Sequence, residues 1–141
     1  MIEVTGNLWE YPADIRVITT NGTVKKNGEC VMGRGCAAEA KQRWPDLPLM
    51  LGQAIRGLGN EAFFLPFDTG LVTFPVKHSW YQKADITLIE QSARKIASMR
   101  ALEDKRVVLP RPGCGNGHLD WNDVKLILAP ILDDRFHVTF K

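Results

Sequence analysis

The sequence lacks any run near the roughly 18 consecutive apolar residues that a membrane-crossing helix needs, so a helical membrane protein is not expected. Its opening, MIEVTGNLWE, has acidic and polar residues where a secretory signal would have a basic stretch and an apolar run. Cysteine is sparse. Cys30, Cys36 and Cys114 are an odd number without the pairing of a zinc site, so neither a disulfide framework nor a bound metal is expected. Together these absences point to a cytoplasmic protein. Charge of one sign is missing too: 18 Lys and Arg against 16 Asp and Glu leave a net +2, spread along the chain. That excludes nucleic-acid binding by bulk electrostatics, so any nucleic acid must be recognised locally, at a site. There is no repeat, linker or low-complexity segment, and no obvious apolar surface stripe, so one domain spanning residues 1–141 and a monomer are expected.

What is present alternates between strand-like and helix-like segments. Strands are predicted at Ile2–Thr5 and at Ile15–Thr19, the latter β-branched and bounded by turn residues on both sides. A long loop rich in glycine, asparagine and lysine follows, TNGTVKKNGECVMGRG, and loops of this length inside compact domains are usually functional. Alanines favour a helix over Cys36–Trp44, stopped by Pro45, and a second helix is predicted from Pro48 to Leu58. Ala62–Leu65 and Leu71–Phe74 are apolar enough for strands joined by a turn at Phe67–Gly70. Ala84–Leu102 carries an apolar stripe at helical spacing, with Asp85 as its cap. Arg106–Leu109 is a strand, PRPGCGNGH a second loop, Asp120 the cap of a helix to about Leu132, and HVTF a last strand. The order predicts a three-layer α/β/α domain with a mixed central sheet.

The chemistry concentrates in two glycine-rich loops, Gly33-Arg34-Gly35 before a helix and Gly113-Cys114-Gly115-Asn116-Gly117 between a strand and a helix. Glycines let backbone amides face a ligand unobstructed, and a helix N-terminus favours phosphate. Two such loops suit a pyrophosphate gripped from both sides. Neither is a Walker loop or a Rossmann fingerprint, and each by itself is equally an ordinary strand–helix turn.

The strings NGECVMGRGCAAEAKQRWP, FPVKHSW and LPRPGCGNGHLDWNDV resemble, in the same order, the first ligand loop, the closing strand and the second loop of macro domains. The branch they are most similar to contains the terminal ADP-ribose protein glycohydrolase and the DNA ADP-ribosyl glycohydrolase antitoxins. The resemblance implies a macro-domain fold that binds ADP-ribose without a cofactor, acts on ADP-ribosylated DNA or protein, and has an ADP-ribosyltransferase toxin as partner. It places Asn7, in Gly6-Asn7-Leu8, where the family has an adenine-binding aspartate. An asparagine oxygen still accepts from an amino group but without charge assistance, which leaves room for a neighbour such as Trp9. Asn21 matches the asparagine that reaches the distal ribose, although Asn21-Gly22 is equally a turn. Met32, Gly33, Arg34, Gly35 and Cys36, with Gly113, Cys114, Gly115, Asn116 and Gly117, match the two loops around the diphosphate and distal ribose. Cys114 is expected to pack beside its loop, because no base is evident to activate it.

Lys77 is the implied catalytic residue, as nucleophile at the anomeric carbon or through a Schiff base, against the alternative of a surface lysine attracting phosphates. His78 is the candidate proton shuttle, and His118 is open to the same assignment. Gly117 stands where the protein-directed glycohydrolase has an aspartate, which tilts the expectation slightly toward nucleic-acid-linked ADP-ribose. Trp44, Trp80 and Trp121 are expected to pack, with Trp80 alternatively lining the rim or stacking on an extruded base. Three functions therefore stand: a glycohydrolase, a reader without chemistry, and an ADP-ribose 1''-phosphate phosphatase dependent on a histidine.

Overall fold

The computed structural model describes residues 1–65 and 68–140. Five strands, β1 (Ile2–Thr5), β2 (Ile15–Asn21), β3 (Leu71–Lys77), β4 (Val107–Pro110) and β5 (Phe136–Phe140), form one sheet in the order β1-β5-β4-β2-β3. Four α-helices lie between them: α1 (Gly35–Arg43), α2 (Leu47–Leu58), α3 (Ile86–Ala97) and α4 (Trp121–Leu128). Side chains alternate across the sheet as the two-residue period requires. Val17, Val72, Phe74, Val107, Leu109 and Val138 pack with Ile89, Ala93 and Ile96 of α3 and with Val124 and Leu128 of α4. Ile18, Leu71 and Val108 pack on the opposite face with Ala37 and Ala40 of α1 and Leu47 and Leu51 of α2. Two cores separated by one sheet give the three layers.

The expected mixed sheet is corrected: all four strand pairings are parallel. The error came from Ala62–Leu65, which forms no strand and contributes one antiparallel bridge, Phe64 to Val72. Its apolar residues are explained by burial instead, Ala62 in one core and Leu65 in the other. An apolar run signals burial before it signals a ladder. The turn expected at Phe67–Gly70 lies partly outside the described residues. β3 runs three residues further than expected, to Lys77, and tolerates Pro75 because it is an edge strand. The helix expected over Ala84–Leu102 is shorter, followed by a 3₁₀ turn at Arg100–Leu102, and the helix expected to reach Leu132 ends at Leu128.

Asp85 caps α3 as expected, accepting from the Thr87 amide at 2.8 Å, while its other oxygen lies 2.7 Å from His78 Nε2. The His78 hydrogen bond, and then that of Thr87, hold the Asp85 carboxyl below its ordinary value. A carboxyl depressed in the fold stabilises above its unfolded pKa, and that contribution is lost as pH falls through the folded pKa. Asp85→Ala is therefore expected to cost about 1 kcal/mol at neutral pH and distinctly less near pH 2, read from denaturant unfolding at both pH values. Gly52 of α2 is a second fixed point, since a Cβ there would strike the Gly28 carbonyl. Gly52→Ala should lose about 1–3 kcal/mol through that clash. Gly57→Ala in the same helix, with open space around it, should be neutral or slightly stabilising. Thermal melts of the two variants check the contrast.

Candidate functional site

In a parallel sheet every strand ends at the same edge, and ligands collect outside the carboxyl ends. A cleft of about 680 Å³ opens there, and its wall takes residues from the end of each strand. After β1 come Gly6, Asn7 and Leu8; Asn21 ends β2, Lys77 ends β3, Pro110 ends β4 with Arg111 just beyond it, and Phe140 closes β5. Asn21 and Lys77 are register partners on adjacent strands, immediately after an irregularity in the ladder at Thr20/Asn21. Bulges of this kind re-aim side chains next to sites. The two strand ends stay tied beyond that point. Gly22 N donates to His78 O at 3.2 Å, and Asn60 Nδ2 donates to Lys77 O at 3.0 Å.

The first loop, Met32 through Cys36, passes into α1 at the cleft wall. Arg34 makes no side-chain cap and the first turn carries no acid, so the helix leaves its N-terminal amides open to an anion. α4 is different. Asp120 Oδ1 accepts from Asn122 N at 2.8 Å and closes that terminus. The second loop therefore offers its own backbone rather than a helix end. The amides of Gly33, Arg34, Gly115, Asn116 and Gly117 have no hydrogen-bond partner among the described residues. The loops nearly touch, since a Cβ on Gly35 would lie 3.4 Å from Asn116 Nδ2. Gly113 sits at a φ of 74° against Ile89 and Ala84, and a Cβ on Gly117 would strike the Gly113 carbonyl and Ala84. Gly117 is thus required by packing, and no carboxylate fits at that position.

The cleft brings together Asn7, Leu8, Asn21, Met32, Gly33, Arg34, Gly35, Cys36, Lys77, Gly113, Gly115, Asn116 and Gly117. Two expected site residues stand outside its wall. His78 turns to Asp85, and Cys114 donates to the Pro112 carbonyl at 3.4 Å, its thiol pushed up to about 11 by burial. Trp9 is also outside, packed at 6.1 Å from Trp44 with the Arg43 guanidinium 4.2 Å from its ring. Asn7 Oδ1 accepts from Trp9 N at 2.8 Å, and Asn21 spans its own loop, donating to Val31 O and accepting from Thr23 N, each at 3.0 Å. Both side chains shape backbone, and both residues line the cleft. Cys36 Sγ lies 3.3 Å from both Thr19 N and Thr19 Oγ1, and burial raises its pKa. Lys77 Nζ reaches Trp80 O at 3.4 Å. His118 lies in the wall with a left-handed backbone, at a φ of 63°.

Residues that the sequence did not single out also line the cleft, among them Glu39, Tyr81, Lys83, Arg111, Thr139 and Phe140. Arg111 stacks 4.2 Å from the Phe140 ring and 5.0 Å from that of Trp121, with Glu3 at 3.6 Å from its Nη2. Arg111 and Phe140 share one signal that was available, a position at the carboxyl end of a strand. No helix among the described residues is long and apolar enough to cross a membrane.

No family model matches the chain. It is 30% identical over 139 residues to a DNA ADP-ribosyl glycohydrolase of Thermus aquaticus, a match covering 92% of this chain and 37% of that protein. It is 29% identical over 134 residues to a DNA ADP-ribosyl transferase-DNA ADP-ribosyl glycohydrolase fusion protein of Thermosipho africanus, covering 78% of this chain and 34% of that one. The chain thus spans about a third of the length of these curated relatives. The macrodomain of Mycobacterium tuberculosis DarG superposes with a TM-score of 0.80 at 22% identity, covering 99% of this chain and 97% of that one. The macrodomain of Thermus aquaticus DarG gives 0.79 at 25% identity over the same shares. Thermosipho africanus DarTG in complex with ADP-ribose gives 0.77 at 21% identity, over 99% of this chain and 41% of that one. With a parallel sheet opening onto two glycine-rich loops, and likeness to these structures along nearly its whole length, the chain has the macrodomain fold.

Proposed function

We propose that the cleft binds ADP-ribose and that the protein hydrolyses the bond joining the distal ribose to a DNA base. The observation that carries this reading is the set of unpartnered amides on two facing loops, at Gly33, Arg34, Gly115, Asn116 and Gly117. Backbone donors held in place suit a diphosphate without a side-chain cation, and the open N-terminus of α1 adds a favourable dipole. The adenine lies at the Asn7 and Phe140 end and the distal ribose at the Asn21 and Lys77 end. Lys77 acts at the anomeric carbon, as an amine nucleophile or through a Schiff base with the ring-opened sugar. Water supplies a hydroxyl to the sugar and a proton to the departing base, so no redox partner is needed.

DNA is preferred to protein as the acceptor because Gly117 is locked by packing, leaving no room for the aspartate that would assist ester cleavage. The names of the relatives support the same substrate. A DNA ADP-ribosyltransferase is the partner reading, supported by the fused relative. The same glycine favours one competing function, a reader that binds ADP-ribose and leaves the linkage intact.

Lys77→Ala separates the two. A glycohydrolase should lose kcat by on the order of 10²–10⁴-fold, while its Kd for ADP-ribose changes little. A reader shows no turnover in either form. Single-turnover assays on an ADP-ribosylated oligonucleotide, beside equilibrium binding of ADP-ribose, decide it.

A further inference from the structure

Trp80 and Tyr81 stand at the wall of the cleft with 52% and 71% of their surface exposed, more than any other Trp, Tyr or Phe among the described residues. Buried aromatics elsewhere in the chain contribute packing. Two large rings left in solvent beside a ligand cleft contribute nothing to the core and cost hydration. They are also ordered relative to each other and to the strand end. Their ring centroids are 5.9 Å apart at 84°, edge to face. The Trp80 backbone is tied on both sides, its amide donating to Thr23 Oγ1 at 3.0 Å and its carbonyl accepting from Lys77 Nζ at 3.4 Å. The indole is thus carried on the backbone that positions the lysine.

Charge around this rim is unlike that of the chain as a whole. The charged side chains of the cleft wall are Arg34, Lys77, Lys83 and Arg111 against the single carboxylate of Glu39. Arg111 is engaged with Glu3, whereas Arg34 and Lys83 are exposed and their side chains have no hydrogen-bond or ion-pair partner among the described residues. The unpaired cations of the wall thus stand on the same rim as its exposed aromatics. Aromatic faces beside unpaired cations are how sequence-tolerant sites hold single-stranded nucleic acid, bases stacking on the rings while cations follow the phosphates.

Resting on the glycohydrolase reading above, we infer that Trp80, braced by Tyr81, is the stacking platform for the acceptor base, and that Arg34 and Lys83 meet the phosphates of a single strand. A base joined to the distal ribose leaves the cleft at Lys77, whose Nζ donates to the Trp80 carbonyl, so the aromatic residue tied to that lysine is Trp80. A carboxylate ester at the same exit has no aromatic ring to stack, so the platform selects nucleobase-linked ADP-ribose over ester-linked ADP-ribose. A base paired inside a duplex cannot present its face, which makes single strands the preferred form.

The test compares wild type, Trp80→Ala and Trp80→Phe on an ADP-ribosylated single-stranded oligonucleotide and on free ADP-ribose. The expected result for Trp80→Ala is a KM on the oligonucleotide raised on the order of tenfold, with the Kd for free ADP-ribose within about twofold and kcat little changed. Retained ADP-ribose binding also shows that the variant is folded. Trp80→Phe, which keeps a ring, should recover most of the loss. Equal KM values for wild type and Trp80→Ala overturn the inference while leaving the glycohydrolase reading intact. So does a parallel loss of free ADP-ribose binding, because Trp80 would then serve the ligand rather than its acceptor. A wild-type protein that binds ADP-ribose but neither binds nor cleaves the modified oligonucleotide overturns the DNA reading and this inference together.

Discussion

All strands of the sheet run the same way, and the site depends on that constraint. Parallel pairing delivers five carboxyl ends to one edge, so positions scattered from Asn7 to Phe140 become neighbours there. Helices on both faces follow from the same requirement, since each parallel crossover must return over the sheet. Their apolar faces then fill two cores, one with α1 and α2 and one with α3 and α4. The edge where the loops emerge is what remains for function.

Within that edge the two loops are made differently. The first offers a helix end, uncapped by Arg34 and unopposed by acid. The second offers bare backbone, because Asp120 occupies the following helix terminus and the loop folds back onto the start of α3. Ala84 N donates to Gly117 O at 3.1 Å and Leu119 N to Gly113 O at 2.9 Å. This packing makes glycine obligatory at 113 and 117. The same contact that shapes the loop thus leaves no room for a carboxylate at position 117.

Much of this was legible in the residues. Helices announced themselves through alanine content, the α3 apolar stripe and the caps at Asp85 and Asp120, because these are local signals that tertiary packing did not override. The glycine loops and Lys77 were legible because glycine spacing and a strand-end lysine are carried by short, contiguous motifs. Strand direction was not. Ala62–Leu65 is as apolar as a strand, yet its burial comes from two cores rather than from ladder partners, and nothing in its composition distinguishes the two. His78 was a fair candidate from its place after Lys77, but the alternation along that segment turned it toward Asp85 and the α3 cap. Arg111 and Phe140 were missed because each depends on which strands lie side by side, and sequence order does not state that β5 sits between β1 and β4.

The central claim is that the cleft is an ADP-ribose site whose far end holds the distal ribose. Calorimetric titration with ADP-ribose, ADP and AMP tests it most directly. The account predicts saturable one-to-one binding of ADP-ribose, clearly tighter than that of ADP or AMP, because the Asn21 and Lys77 end is engaged only by the ribose those two lack. No heat of binding with millimolar ADP-ribose, or equal affinity for all three ligands, would contradict it.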